Sequence, residues 1–236
     1  MGHLRPLPRH RHSRWLAGHQ RPVAQGVFPV CEFTHVLSGP QKSLAITCPL
    51  AEAGFIVPAS PFSNLCGQDV YTGDQSKDIS GVITRTFALN TADAPLACHI
   101  NTAVGVGASG HFMGGMTTHG LLTSWPDARI TAAIPMSCVD MGNPSQAVRA
   151  KVLFKRGDRD GTCPISSTRP AYRELPVAKA FLTFRGAGHS YYFGASRAVD
   201  TFVDWMRWSL CGDTGARDRL RADATSSTTT WESALN

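Results

Sequence analysis

Between residues 26 and 212, short runs of apolar, β-branched and aromatic residues alternate with longer stretches in which apolar positions recur every three or four residues. The short runs predict strands over 27–34, 55–59, 103–108, 130–136, 152–156 and 180–184, bounded by Gly, Pro or Asn turn signals. Between them the pattern predicts helices over 41–53, 79–89, 113–123, 167–175 and 196–210. In the last of these, Phe202, Trp205 and Met206 share one face. A nearly continuous apolar run such as Ala103-Val104-Gly105-Val106 belongs to a strand covered on both sides, which is the situation in parallel sheets. The alternation therefore predicts an α/β fold with a mostly parallel central sheet of about six strands and helices on both faces. Only residues 137–149 separate the fourth strand from the fifth, too few for an inserted cap domain. The face at the strand ends is expected to be open.

A chain of 236 residues, 42% of them hydrophobic, is long enough to bury one sizeable core. Its flanks differ from its middle. Residues 1–25 hold five arginines and no acid, and they supply most of the net charge of +6. The expected organisation is a basic Arg/His-rich tail over 1–25, one domain over 26–212 and a disordered tail over 213–236, where Asp/Arg-rich and then Ser/Thr-rich sequence offers little apolar surface. The basic tail reads as a solvated segment, so no nucleic-acid partner is expected. His3, His10, His12 and His19 within it lack the mixed ligands and fixed spacing of a metal site. Seven cysteines without a C-x-x-C pair argue against a zinc ribbon and a full disulfide framework, and are expected as buried free thiols. No apolar core of a secretory signal is present, nor a run of about 18 apolar residues, so no membrane span is expected. The matching expectation is a cytoplasmic protein, or a secreted one if residue 1 is not the authentic start.

The residues that carry chemistry lie where strands end. Gly110-His111-Phe112-Met113-Gly114-Gly115 follows the third predicted strand, Asp158 and Asp160 precede Pro164 in the next-but-one loop region, and His189 closes the turn Gly186-Ala187-Gly188-His189. A residue at a glycine-flanked corner between strand and helix is pushed out of the backbone, and a histidine backed by a carboxylate later in the chain can take its proton. Here the corner holds Phe112, which has no nucleophilic atom. Gly105, Gly107 and Gly110 also match the spacing of a dinucleotide-binding loop, but the same string arises wherever a strand meets such a corner.

Together these three segments resemble the α/β-hydrolase superfamily, in particular the lidless bacterial branch of dienelactone-hydrolase-like proteins, platelet-activating-factor-acetylhydrolase-like lipases and cutinase-like polyester hydrolases. The resemblance runs over about 26–210. It implies a carboxylic ester hydrolase of esterase, lipase or cutinase type, acting on a small-molecule or polymeric ester without cofactor or metal. It also implies a catalytic triad with Phe112 at the nucleophile position, His189 as general base, and Asp160, four residues before the loop proline, as the acid; Asp158 is the alternative acid. The oxyanion hole would be made by the N–H of Met113 and, from the loop Thr34-His35-Val36-Leu37-Ser38-Gly39, that of Leu37. Val36 and Ser38 stand where the family has glycines.

Phe112 leaves three readings. The chain is an impaired or inactive member, a pseudoenzyme that keeps the fold. Alternatively another group attacks: Ser109 as a substitute nucleophile, Ser190, or a water activated by His189 and Asp160. In the third reading the protein is a non-catalytic ligand-binding or scaffold protein, its pocket lined by Phe112, Met113, Tyr191, Tyr192 and Phe193. Asp158, Asp160 and His189 lack the further ligand that a metal-dependent hydrolase needs.

Overall fold

The computed structural model describes residues 24–35, 43–61, 67–91 and 93–235. Most of the basic segment, together with Val36, Leu37 and Ser38, lies outside the described residues.

The apolar runs become strands β1 (Val30–His35), β2 (Ala59–Pro61), β3 (Val106–His111), β4 (Ile130–Met136), β5 (Lys151–Gly157) and β6 (Lys179–Phe184), and a further strand, β7, spans Thr229–Ala234. Among the described residues these form one seven-stranded sheet in the order β2-β1-β3-β4-β5-β6-β7. The first six are mutually parallel, and β7 runs antiparallel to β6. The helices are α1 (Leu44–Glu52), α2 (Asp69–Thr72), α3 (Asp74–Ala88), α4 (Met113–Gly120), α5 (Arg169–Glu174), α6 (Ser196–Cys211) and α7 (Thr214–Ala224).

Because side chains alternate along a strand, the sheet divides the interior into two cores. Cys31 and Phe33 of β1, Ile134 and Met136 of β4, and Leu182 and Phe184 of β6 face one core, which α1, α6 and α7 complete. Val30, Val106, Val152, Phe154 and Phe181 face the other, completed by α3, α4 and α5. Phe202, Trp205 and Met206 of α6 are all fully buried. Each such side chain contributes roughly 1.5–3 kcal/mol by leaving water. The molecule is thus of the α/β class, with helices on both faces of a mostly parallel sheet.

Several expectations need correction. Strand β3 begins three residues later than its apolar run and continues through His111, because Gly105 turns at φ 77°, where a Cβ would lie 2.5 Å from Thr131. Strand β2 is reduced to Ala59–Pro61, with only an isolated bridge at Ile56 pairing earlier. The tail expected to be disordered over 213–236 is ordered through residue 235. Asp213 caps α7, its Oδ1 accepting from Ala216 N at 2.9 Å. Ala216, Leu220 and Ala224, spaced four apart, are buried against α6. Composition concealed this, since three small or aliphatic residues on one face are enough to dock a helix that is otherwise charged. Cysteines depart from expectation too: Cys31, Cys138 and Cys163 are buried free thiols, whereas Cys98 and Cys211 are exposed.

Candidate active site

The corner between β3 and α4 is built by close packing of glycines. A Cβ on Gly110 would lie 2.5 Å from the carbonyl carbon of Gly114, one on Gly115 would lie 2.5 Å from Met136 O, and one on Gly114 would collide with Thr34 O. With no side chains at these points, the N-terminus of α4 comes down against β1, β3 and β4, and the chain must turn within one residue. That residue is Phe112, at φ 57° and ψ −118°. A non-glycine residue at positive φ is held there only by its surroundings. Phe112 N donates to Met136 O at 3.0 Å and Phe112 O accepts from Met116 N at 2.8 Å, which fixes the corner from both sides. Met113 N–H opens α4, and as the first helical amide it has no acceptor within the helix.

Asp160 lies in the loop after β5 and His189 in the loop after β6. The Asp160 carboxylate accepts from Thr162 N at 2.9 Å and Cys163 N at 2.8 Å. His189 Nδ1 lies 3.0 Å from Oδ1 and 2.9 Å from Oδ2 of the same carboxylate. A carboxylate only accepts, so Nδ1 carries the proton and Nε2 is left as the basic nitrogen. Burial alone would raise the Asp160 carboxyl, but the Cys163 amide, His189 and Ser137 outweigh it and hold it below the ordinary carboxylate range. The Phe112 ring meets the His189 ring edge to face, with centroids 5.0 Å apart. Phe112, Asp160 and His189 are therefore brought together.

Asp158 is directed elsewhere, its Oδ1 accepting from Gly186 N at 2.6 Å, a turn contact that ties the two loops. Ser109 is also withdrawn from the site. It is fully buried within β3, and its Oγ donates to Glu32 O at 2.9 Å, so it is not a substitute nucleophile. Gly107 packs into the sheet interior against Met206 and Cys31, and Gly110 against Gly114, so these glycines serve packing and make no phosphate loop. Leu37, the second oxyanion donor implied by the resemblance, lies outside the described residues. Of the aromatic lining, Tyr191 is 87% exposed while Tyr192 is buried beneath the loop. Tyr192 therefore supports the site from below and does not line it.

Three residues whose role here was not read from the sequence set the position of His189. His111 Nε2 donates to His189 O at 2.8 Å, and Ser137 Oγ donates to the same oxygen at 2.8 Å. Tyr192 Oη lies 2.9 Å from Ser137 Oγ and donates to Lys155 O at 3.2 Å. Ser137, like Phe112, is at positive φ, 43°, just past the end of β4. Burial pushes the His111 imidazole down to about 4, so it is neutral near pH 7, and its ring lies tilted against that of His189, centroids 4.5 Å apart. The position of His111 next to the corner was a usable signal; Ser137 gave none, and Tyr192 was read as pocket lining, since the partners of both are distant in sequence.

Among the described residues, no group of three or more His, Cys, Asp or Glu side chains is placed to hold a metal ion, and no helix is long and apolar enough to cross a membrane. A cavity of about 240 Å³ opens at the opposite end of α4, lined by Leu121, Leu122, Ile130 and Val148, away from Phe112. Compared with protein-family models and with curated protein sequences, the chain matches none.

Proposed function

We propose that the chain is a carboxylic ester hydrolase of the α/β-hydrolase type, without a cap domain, in which the covalent serine mechanism has been lost at residue 112. The observation that carries this reading is Phe112 itself, held at positive φ between a strand and a helix and facing an imidazole that is hydrogen-bonded to a buried carboxylate. Such a corner serves to expose a nucleophile. The chain order of nucleophile position, acid and histidine supports the same reading, as does their placement after β3, β5 and β6.

In this reading His189 Nε2 is the general base and Asp160 holds its Nδ1–H. Met113 N–H, with the Leu37 N–H that the resemblance implies, would stabilise the oxyanion of an ester's tetrahedral intermediate. The native chain has no atom at residue 112 to attack the carbonyl, so any hydrolysis runs through another nucleophile, such as a water activated by His189. A second reading, a ligand-binding protein of the same fold, is favoured by the phenyl ring, which occupies the space in front of the imidazole.

Hydrolysis of p-nitrophenyl acetate and butyrate by the native chain, Phe112→Ser, His189→Ala and the double variant separates these readings. The expected result is a near-silent native chain and a gain of about a hundredfold or more in Phe112→Ser that disappears in Phe112→Ser/His189→Ala. A Phe112→Ser variant that is folded and silent would favour the binding protein. Native turnover abolished by His189→Ala would show that water or another nucleophile is already at work.

A further inference from the structure

Strand β5 carries a charged side chain on a face where Val152 and Phe154 are apolar. Arg156 is 1% exposed, and its Nη1 donates to Thr168 Oγ1 and Cys138 O. Its Nη2 lies 3.7 Å from Asp160 Oδ2, and Asp160 is its one carboxylate partner among the described residues. Nε and Nη2 are buried and make no hydrogen bond there. A guanidinium in this position is stable only beside an anion, and the anion is the carboxylate that orients His189. The same oxygen, Oδ2, is 2.9 Å from His189 Nδ1. Around this pair, His111, Cys138, Cys163 and Tyr192 are all shifted by burial toward their neutral forms.

We propose that Arg156 is a positioning residue: its guanidinium shares the Asp160 carboxylate with His189 and thereby sets how tightly Asp160 holds the Nδ1–H of the imidazole. Two effects follow from the geometry. With Oδ1 held by the Thr162 and Cys163 amides and Oδ2 drawn by Arg156, the carboxylate keeps one orientation. Part of its charge is also balanced by the guanidinium, so less of it acts on Nδ1–H than a lone buried carboxylate would exert. The proposal rests on the reading of Asp160 and His189 as a working pair, but it concerns a contact that exists whether or not residue 112 can attack.

The test is low-field proton NMR of the His189 Nδ1–H in the otherwise native chain, the resonance being assigned by its loss in His189→Ala. Arg156→Met should move it downfield as the whole carboxylate charge falls on the imidazole, and Arg156→Lys should return it toward its native position. A resonance that is unmoved, or lost to exchange with water, in a folded Arg156→Met chain overturns the proposal. Urea midpoints provide the second measurement. Asp160→Asn should lower the midpoint well beyond His189→Ala, because it strands a buried cation, and Asp160→Asn/Arg156→Met should recover part of that loss. If Arg156→Met fails to fold while the double variant folds, the cost lies in the unpaired carboxylate and the proposal stands. If both fail to fold, Arg156 is a packing residue only and the proposal falls. A silent Phe112→Ser would count against the hydrolase reading and leave the resonance result untouched.

Discussion

Glu32 is a carboxyl in the middle of β1, fully buried, with Oε2 accepting from Thr34 Oγ1 at 2.8 Å and Oε1 without a partner among the described residues. Burial pushes its carboxyl well above the ordinary value of 4.5, outweighing the Thr34 hydrogen bond that opposes it. The folded chain therefore holds a proton that the unfolded chain releases, and stability contributed by this site is lost as pH rises past about 4.5. Glu32→Gln, which cannot ionise, should be more stable than the native chain, and its advantage should grow by up to about 1.4 kcal/mol per pH unit until the folded carboxyl ionises. Urea midpoints at pH 5, 6 and 7.5 test this; a pH-independent difference would discard it. Residues like Glu32, Arg156 and Ser137 were illegible in the sequence because their meaning depends on partners that only folding supplies. Phe112, Asp160 and His189 were legible because glycines and a proline mark the turns that present them. The spacing to Pro164 already favoured Asp160 over Asp158, and in the folded loop one carboxylate meets His189 and the other a backbone amide.

At the scale of elements, strand β4 is found at the span predicted for it, because all of its residues but Thr131 are apolar and buried. Strand β7, Thr-Thr-Trp-Glu-Ser-Ala, was missed for the opposite reason: an edge strand needs only one side covered, so its sequence is mostly polar. It pairs along the whole of β6, and Arg169 Nη2 reaches Glu232 Oε1 at 2.6 Å across that edge. Helix α7 then covers α6, joined to it by Arg219 and Asp204 at 2.6 Å. A chain ended at Gly212 would expose both α6 and the edge of β6. Its urea midpoint should correspond to a loss of at least about 3 kcal/mol, given the buried Leu220 and the neighbouring alanines. An unchanged midpoint would make α7 and β7 an appendage to the fold.

For the molecule as a whole, burial drives ionisable groups on both sides of the sheet toward their neutral forms. Glu32 lies on the α4 side, while Lys155 lies on the α6 side with Nζ donating to Ala198 O at 2.5 Å, its ammonium held well below the ordinary lysine range by burial. His119 is likewise lowered by burial to about 4, its Nδ1 accepting from Met141 N at 3.0 Å. Between about 6.5 and about 4 the unfolded chain binds protons that the folded His111 and His119 refuse, so these sites make stability fall as pH falls through that window. Glu32 works against them there. Relative to the native chain, His119→Asn should therefore show a shallower loss of stability between pH 6.5 and 4, read from urea midpoints; equal slopes would remove His119 from the account. The same whole-molecule view applies to the corner at Phe112. Its shape is dictated by glycines pressed against three strands, so it survives without any chemistry to justify it, and any side chain placed at 112 is offered to the same imidazole. On the hydrolase reading proposed above, the place of the nucleophile is filled by a phenyl ring, and since phenylalanine and serine codons differ by one base, the scaffold sits a single base change away from a serine at that corner.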